Sequence, residues 1–185
     1  MDLPDWASII LLLFFLLMSA FYSATETAFA CLNKYKFQIE AEDGKKSSKL
    51  IIRLYEHFET TLITVLIGNN LFAILISTVS TFLFLNWFQG LLSESLVSLL
   101  ASIIMAIITF MFGDTIPKFV AKRAPNAVVR FVVYPTVFFV ILFFPVSSIF
   151  RGLEWLTRKI FRAKPEADFT DEDFADNCCY IRQKI

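Results

Sequence analysis

Polar residues interrupt the long apolar segments of this 185-residue chain at spacings that could bring their oxygen atoms together. In the first segment Ser19, Ser23 and Glu26 follow one another at i, i+4 and i+7, which places them on one stripe of a helix. The second segment is interrupted by Gly68, Asn69 and Asn70. Because polar groups inside a bilayer are costly, each of them needs a partner or a function.

The third apolar segment contains Gly113 and Asp114, followed by Pro117. Proline has no N–H, so it cannot bond the carbonyl four residues earlier, which belongs to Gly113. A bare carbonyl in a membrane must be satisfied by a neighbour, a water or an ion. Carbonyls of broken helices that face a cavity are known to bind cations.

The three polar groups are expected at a common depth. Ser23 precedes Lys34 by 11 residues and Asn70 follows Glu59 by 11, so both would lie roughly 16 Å inside a helix. Hydroxyl, amide, carboxylate and carbonyl oxygens suit Mg²⁺, Ca²⁺, Mn²⁺ or Na⁺ rather than Zn²⁺ or Cu⁺. The pattern therefore predicts a cation site.

Each polar residue also has a purely structural interpretation. Serine in a spanning helix often bonds its own backbone, and asparagine often joins two helices. Asp114 could extend to the inner surface of the membrane. Glu26 is the hardest to explain in this way, because a buried carboxylate usually marks an ion or proton path.

The composition excludes several classes of protein. Apolar residues make up 57% of the chain and charged residues only 18%, which is too little polar surface for a soluble globule. The net charge is zero, which gives no field to attract nucleic acid. The three cysteines and the single His57 lack metal-ligand spacing. No arrangement of nucleophile and base indicates an enzyme.

The apolar segments predict an all-α membrane protein with three transmembrane helices, since a span needs about 20 apolar residues. These segments are Trp6–Leu32, Thr61–Phe88 and Leu96–Ala121. Basic residues are concentrated between the first and second spans and after the third. The N-terminus is therefore expected outside the cell and the C-terminus in the cytoplasm.

A fourth apolar stretch, residues 128–150, contains Pro135 and Pro145 and precedes five basic residues. We expect Arg123–Arg162 to form broken helices that lie in, or dip into, the cytoplasmic interface. An ordinary fourth span is the alternative. Residues 37–58 have one apolar face, which predicts an amphipathic juxtamembrane helix or a packed helical hairpin.

The composition changes near residue 164. Residues 1–164 are predicted to form the membrane domain. Residues 165–185 are predicted to be an acidic linker toward a cytosolic domain that is missing or truncated. Thr170 precedes a run of acids and fits a helix N-cap.

Three motifs together resemble the transmembrane domain of the CorC/CNNM (cyclin M) family of Mg²⁺ transporters, over about residues 5–164. They are Ser19-Ala-Phe-Tyr-Ser23-Ala-Thr-Glu26, Gly68-Asn69-Asn70 and Gly113-Asp114-Thr-Ile-Pro117-Lys118. The resemblance implies a homodimer of three-span subunits with a belt of juxtamembrane helices and an inward-facing acidic cavity. It also implies Mg²⁺ export, with Na⁺ as the candidate exchange ion.

The resemblance also implies a set of metal-site residues. Ser19, Ser23, Asn69 and the Gly113 carbonyl are expected to be ligands, and Glu26 and Asp114 are expected to be acidic residues of the cavity. The chain departs from the family in having Asp114 where Glu is usual, which shortens the carboxylate by one methylene. The family also carries paired CBS domains that bind ATP, so an ATP partner is expected only if such a module is present.

The leading interpretation is a Mg²⁺ transporter domain in the cell membrane, surrounded by lipid and dimeric, because three helices are too few to enclose a path. Two other classes of function stay open. A small proton-coupled drug exporter would also use a carboxylate in its first span, but it would have four true spans. A membrane anchor that dimerises a cytosolic sensor would carry no ion flux.

Overall fold

The computed structural model describes residues 4–90 and 93–145, and every regular element within them is a helix. We number the α-helices α1 to α7 in chain order. They are α1 (Asp5–Ala30), α2 (Lys34–Glu42), α3 (Lys46–Glu56), α4 (Phe58–Trp87), α5 (Glu94–Ile108), α6 (Ile116–Arg123) and α7 (Pro125–Leu142). A π-helix, Thr109–Thr115, joins α5 to α6. The predicted all-α class is confirmed.

Four helical segments among the described residues are long and apolar enough to cross a membrane. They are Asp5–Ala30, Phe58–Trp87, Glu94–Arg123 and Pro125–Leu142. The first three confirm the predicted spans, because each exceeds the roughly 20 residues that a bilayer requires. By length and composition the count is one more than the three predicted.

The additional segment is α7, which corrects the prediction of broken helices after Arg123. Pro135 lies inside α7, yet the helix continues through it to Leu142. One proline removes a single backbone hydrogen bond, and the bonds on either side can keep the helix continuous. The helix ends at Leu142, where Phe143 forms the C-cap. The rest of the predicted stretch and the linker 165–185 lie outside the described residues.

The described residues form two compact units, and each unit makes most of its contacts within itself. The first contains α1 up to Ala24 and residues Leu66–Phe119. The second contains Thr25–Val65 and the described residues from Val120 onward. The first unit therefore carries most of the apolar helix length, and the second carries α2, α3 and all of α7.

In the second unit, α2 and α3 form a helical hairpin. The side chain of Asn33 caps α2 by accepting from the amide of Lys36 at 3.1 Å. Gly44 follows with φ of +89°, a backbone conformation that glycine adopts without steric cost. Helix α3 then buries Ile51 and Leu54 on one face. Residues 37–58 are thus the packed hairpin given as the second possibility, not one continuous amphipathic helix.

Glu40 connects three helices of the second unit. Ser48 on α3 donates to Glu40 Oε2 at 2.9 Å, and Arg130 on α7 donates to both carboxylate oxygens at 2.5 and 2.7 Å. The Arg130 guanidinium also lies 5.4 Å from the centre of the Phe37 ring. The hydrogen bond from Ser48 and the contact with Arg130 lower the pKa of Glu40, since both stabilise the carboxylate.

The lowered pKa of Glu40 gives a pH-dependent prediction for the variant Glu40→Gln. A carboxyl whose pKa falls on folding stabilises the fold at pH above its unfolded pKa, and that stabilisation is lost as pH falls through the folded pKa. The variant should therefore melt below the wild type near neutral pH, and the gap should close as pH falls below about 4. Melting midpoints of the detergent-purified protein measure this.

The matched control for that experiment is Glu42→Gln, because Glu42 is an exposed residue on the same helix. We expect the melting midpoint of Glu42→Gln to stay close to that of the wild type at every pH. A gap between wild type and Glu40→Gln that stays constant on acidification would contradict the assigned role of the Glu40 carboxylate.

Candidate metal site

Two serines on helix α1 begin the site. Ser19 is 2% exposed and Ser23 is fully buried. They lie four residues apart and therefore face the same direction, one turn apart. Both lie in an apolar helix, where a buried hydroxyl needs a hydrogen-bond partner.

Ser19 is paired with helix α4. Its Oγ donates to Oδ1 of Asn69 at 2.8 Å, across 50 residues of sequence. The predicted meeting of the first and second polar groups is therefore present. Asn70, the next residue, is exposed and donates its Nδ2 hydrogen to the carbonyl of Leu66 on its own helix. Of the two adjacent asparagines, only Asn69 pairs with α1.

Ser23 is paired with the π-helix. Its Oγ donates to Oδ1 of Asp114 at 2.7 Å. The ammonium of Lys118 lies 3.0 Å from the same oxygen, and both charged side chains are about one-third exposed, at 31% for Asp114 and 33% for Lys118. The Asp114 side chain therefore contacts Ser23, in contrast to the alternative in which it only extends to the inner surface of the membrane.

Gly113 allows the π-helix to approach α1 closely. A Cβ atom at Gly113 would lie 3.1 Å from the Oγ of Ser19 and 3.4 Å from the Cδ1 of Leu16. The distance to Ser19 is tighter than an ordinary contact, so a side chain at this position would require the Ser19 hydroxyl to shift by a few tenths of an ångström. Gly113 is buried and adjoins Ser19, as the sequence predicted, and its carbonyl remains a predicted ligand.

The helix break predicted near Pro117 is a π-helix. The amide of Ile116 donates to the carbonyl of Met111, five residues earlier, instead of four. Pro117 is the second residue of α6, a position where a missing amide hydrogen costs little. The backbone hydrogen bonds therefore change register here, and single-turn π segments of this kind often lie at functional sites.

Glu26 belongs to neither the Ser19–Asn69 pair nor the Ser23–Asp114 pair. It lies on α1, partly exposed, three residues beyond Ser23, and belongs to the second unit. Its assignment to the metal site remains a prediction.

Two contributors were missed from the sequence. Lys118 belongs to the third motif and to the basic residues that follow the third span, and its i, i+4 spacing from Asp114 is a signal for the ion pair. Tyr22 stands in the first motif, but its spacing in sequence indicates nothing about its partner, Gly68.

Tyr22 and Gly68 fix how α1 packs on α4. Tyr22 is 1% exposed and its ring stacks on Phe72 with centroids 5.8 Å apart. A Cβ atom built at Gly68 would lie 2.5 Å from Cε1 and 2.8 Å from Cε2 of that ring. Only a residue without a side chain fits there. The contact lies beside the Ser19–Asn69 pair and sets the rotation that brings those residues together.

The chemistry of the paired residues favours a hard cation. The described residues contain no group of three or more His, Cys, Asp or Glu that could hold a metal. The oxygens brought together are instead two hydroxyls, a carboxamide and one carboxylate. Such donors suit Mg²⁺, Ca²⁺ or Na⁺, whereas Zn²⁺ and Cu⁺ prefer nitrogen and sulfur ligands.

The described helices define a multi-pass helical membrane domain with polar pairs between its helices. The chain belongs to the CNNM family: the family model described as the Cyclin M transmembrane N-terminal domain matches residues 9–176. The resemblance inferred from the three motifs is therefore confirmed.

Curated relatives agree with this assignment. The chain is 32% identical over 139 residues to the UPF0053 protein MG146 homolog of Mycoplasma pneumoniae, covering 71% of this chain and 31% of that protein. It is 30% identical over 145 residues to the UPF0053 inner membrane protein YfjD of Escherichia coli, covering 78% of this chain and 31% of that protein. The chain spans about a third of the length of these relatives.

The tight contact at Gly68 predicts that Gly68→Ala is destabilising. The added methyl group would overlap the Tyr22 ring and force α1 and α4 apart, and overpacking of this kind costs about 1–3 kcal/mol. Thermal or denaturant unfolding in detergent measures the loss. The control is Ser77→Ala at an exposed position of α4, expected to change stability by less than about 0.5 kcal/mol. Equal stabilities for the two variants would contradict the assigned role of Gly68.

Proposed function

We propose that this chain is the membrane domain of a Mg²⁺ transporter, and that it binds the transported ion at Ser19, Ser23, Asn69, Gly113 and Asp114. The observation that carries the proposal is the pairing of Ser19 with Asn69 and of Ser23 with Asp114 in one unit of the fold. The family assignment supports it independently.

The distances between the paired oxygens fit the coordination geometry of Mg²⁺. An octahedral Mg²⁺ holds its ligands at about 2.0–2.1 Å, so neighbouring ligand oxygens lie about 2.9 Å apart. The Ser19–Asn69 and Ser23–Asp114 oxygens are 2.8 and 2.7 Å apart. Either pair could thus supply two adjacent ligands with little movement. The ion would replace the hydroxyl hydrogen as the partner of each acceptor oxygen.

Asp114 makes a divalent ion the better substrate. A carboxylate held within an apolar helix binds a doubly charged ion more strongly than a singly charged one, because the attraction scales with charge. The shorter side chain of Asp114, compared with the usual Glu, still reaches the Ser23 hydroxyl. The departure from the family pattern is therefore compatible with a carboxylate that contacts the ion.

The transport step would use the π-helix. Its backbone hydrogen bonds can return to α-helical register by a shift of one residue, which would rotate Gly113 and Asp114 relative to α1. We propose that the ion enters from the cytoplasm, sheds water, and is released outside when this segment changes register. Export, with Na⁺ as the exchange ion, is the direction that we propose.

The proposed topology has three crossing helices, with α7 at the cytoplasmic interface. Helix α7 is long and apolar enough to span, but its residue Arg130 is bound to Glu40 on the polar helix α2. The buried face of α7, which includes Val129 and Val133, also belongs to the unit that contains the α2–α3 hairpin. A helix that packs against charged helices and forms an ion pair with one of them is more stable at the membrane interface than across the bilayer.

We further propose that two copies associate in the membrane. Large apolar side chains remain exposed on the first unit, including Leu17 at 69%, Ile74 at 65% and Phe110 at 64%. Lipid or a second copy must cover them. Three crossing helices are few for a closed ion path, which favours a homodimer within a lipid surround.

Loss of a ligand oxygen should weaken Mg²⁺ binding. We expect Asn69→Ala and Ser23→Ala each to raise the Mg²⁺ concentration for half-maximal thermal stabilisation by at least about tenfold, the loss typical even of residues that only support a ligand. Mg²⁺ flux into proteoliposomes should fall in parallel. The matched control is Asn70→Ala, because Asn70 bonds only the carbonyl of Leu66 in the described contacts of its side chain. If the Asn69 and Ser23 variants keep the full Mg²⁺ response, the proposed site is wrong.

The topology predicts which side of the membrane position 158 faces. In a chain whose three cysteines are replaced by serine, Arg158→Cys should resist an impermeant thiol reagent in intact cells and react after permeabilisation. Ser93→Cys, in the loop between the second and third spans, should react in intact cells and serves as the control. Labelling of position 158 from outside would favour four true spans and the drug-exporter alternative.

A further inference from the structure

Lys118 contacts the same carboxylate oxygen that the proposed cation would use. Its Nζ lies 3.0 Å from Oδ1 of Asp114, and the Ser23 hydroxyl donates to that oxygen at 2.7 Å. Lys118 stands four residues after Asp114, so one helical turn carries both charges. The hydroxyl and the ammonium thus converge on one oxygen atom.

The ammonium and a metal ion cannot both stay at Asp114 without cost. A Mg²⁺ ion bound to Oδ1 would lie about 2.0–2.1 Å from it, and the ammonium at 3.0 Å from the same atom would be strongly repelled. Both side chains are about one-third exposed within an apolar segment, so solvent screens this repulsion less than at an open surface. Lysine has a flexible stem of four carbons and can move its charge away.

We propose that Lys118 is a tethered counter-cation that competes with the transported ion for Asp114, so that binding of the ion requires Lys118 to leave the carboxylate. The inference rests on the proposed function and adds a residue that sets the affinity of the site for the ion. Displacing the ammonium costs the same whichever ion replaces it, but Mg²⁺ brings two charges to Asp114 and Na⁺ only one. Mg²⁺ therefore offsets the loss of the Lys118–Asp114 contact better than Na⁺ does.

The test is a titration of the melting midpoint with MgCl₂ at constant ionic strength, using the full chain in detergent. Lys118→Met should lower the Mg²⁺ concentration for half-maximal stabilisation by roughly tenfold, because it removes a like charge near the ion. Lys118→Arg keeps the charge and should bind Mg²⁺ as the wild type does. Lys122→Met removes a charge one turn further along α6 and should also leave the affinity unchanged.

Lys118→Gln provides a second neutral variant if the Met variant fails to fold, and the same tightening is expected. A parallel titration with NaCl should show that either neutral variant gains no more affinity for Na⁺ than for Mg²⁺, because the ammonium repels a divalent ion at least as strongly as a monovalent one. Unchanged or weaker Mg²⁺ binding in the neutral variants would overturn the inference, since it would mean that Lys118 positions Asp114 rather than competing with the ion.

The outcomes separate this inference from the proposed function. In one outcome, the wild type binds Mg²⁺, Asn69→Ala weakens that binding, and the neutral Lys118 variants do not tighten it. This outcome overturns only the role of Lys118. A wild-type chain that Mg²⁺ does not stabilise overturns both. Tightening that also occurs in Lys122→Met would show a general charge effect, and it too would overturn the specific competition at Asp114.

Discussion

The packing of the first unit depends on one constraint: polar side chains within apolar helices must form hydrogen bonds with other polar groups. Ser19 and Ser23 meet that need in Asn69 and Asp114, which lie on two other segments of the chain. Each hydrogen bond joins residues 50 or more positions apart, and in an apolar environment water cannot take over from a lost partner. The bonds therefore hold the helices in register and at the same time gather the oxygens that make the site a candidate for a cation.

Small residues make that arrangement sterically possible. Gly68 leaves room for the ring of Tyr22, and Gly113 leaves room for the side chain of Ser19. Close helix contact through small residues is typical of membrane proteins, where packing rather than water exclusion drives association. The second unit uses a different principle, because Glu40, Ser48 and Arg130 join its helices through a charged network.

Much of the fold could be predicted from the sequence. The three first spans, the helical class and the separate polar groups all follow from hydropathy and spacing, which are local properties. The errors arose where local signals were ambiguous. Pro135 suggested a broken helix, but a single lost hydrogen bond did not interrupt α7. Residues 37–58 matched one helix by periodicity, but Gly44 divides them into a hairpin.

The sequence by itself determined which segments are apolar, which residues bear oxygen, and at what position along its apolar segment each of them stands. Only the tertiary structure decided that Asn69 rather than Asn70 pairs with Ser19, that Asp114 is shared by Ser23 and Lys118, and that the break near Pro117 is a π-helix. The reason is physical. Depth follows from counting residues along a helix, whereas pairing depends on how each helix is rotated about its axis, and contacts such as that between Tyr22 and Gly68 set that rotation.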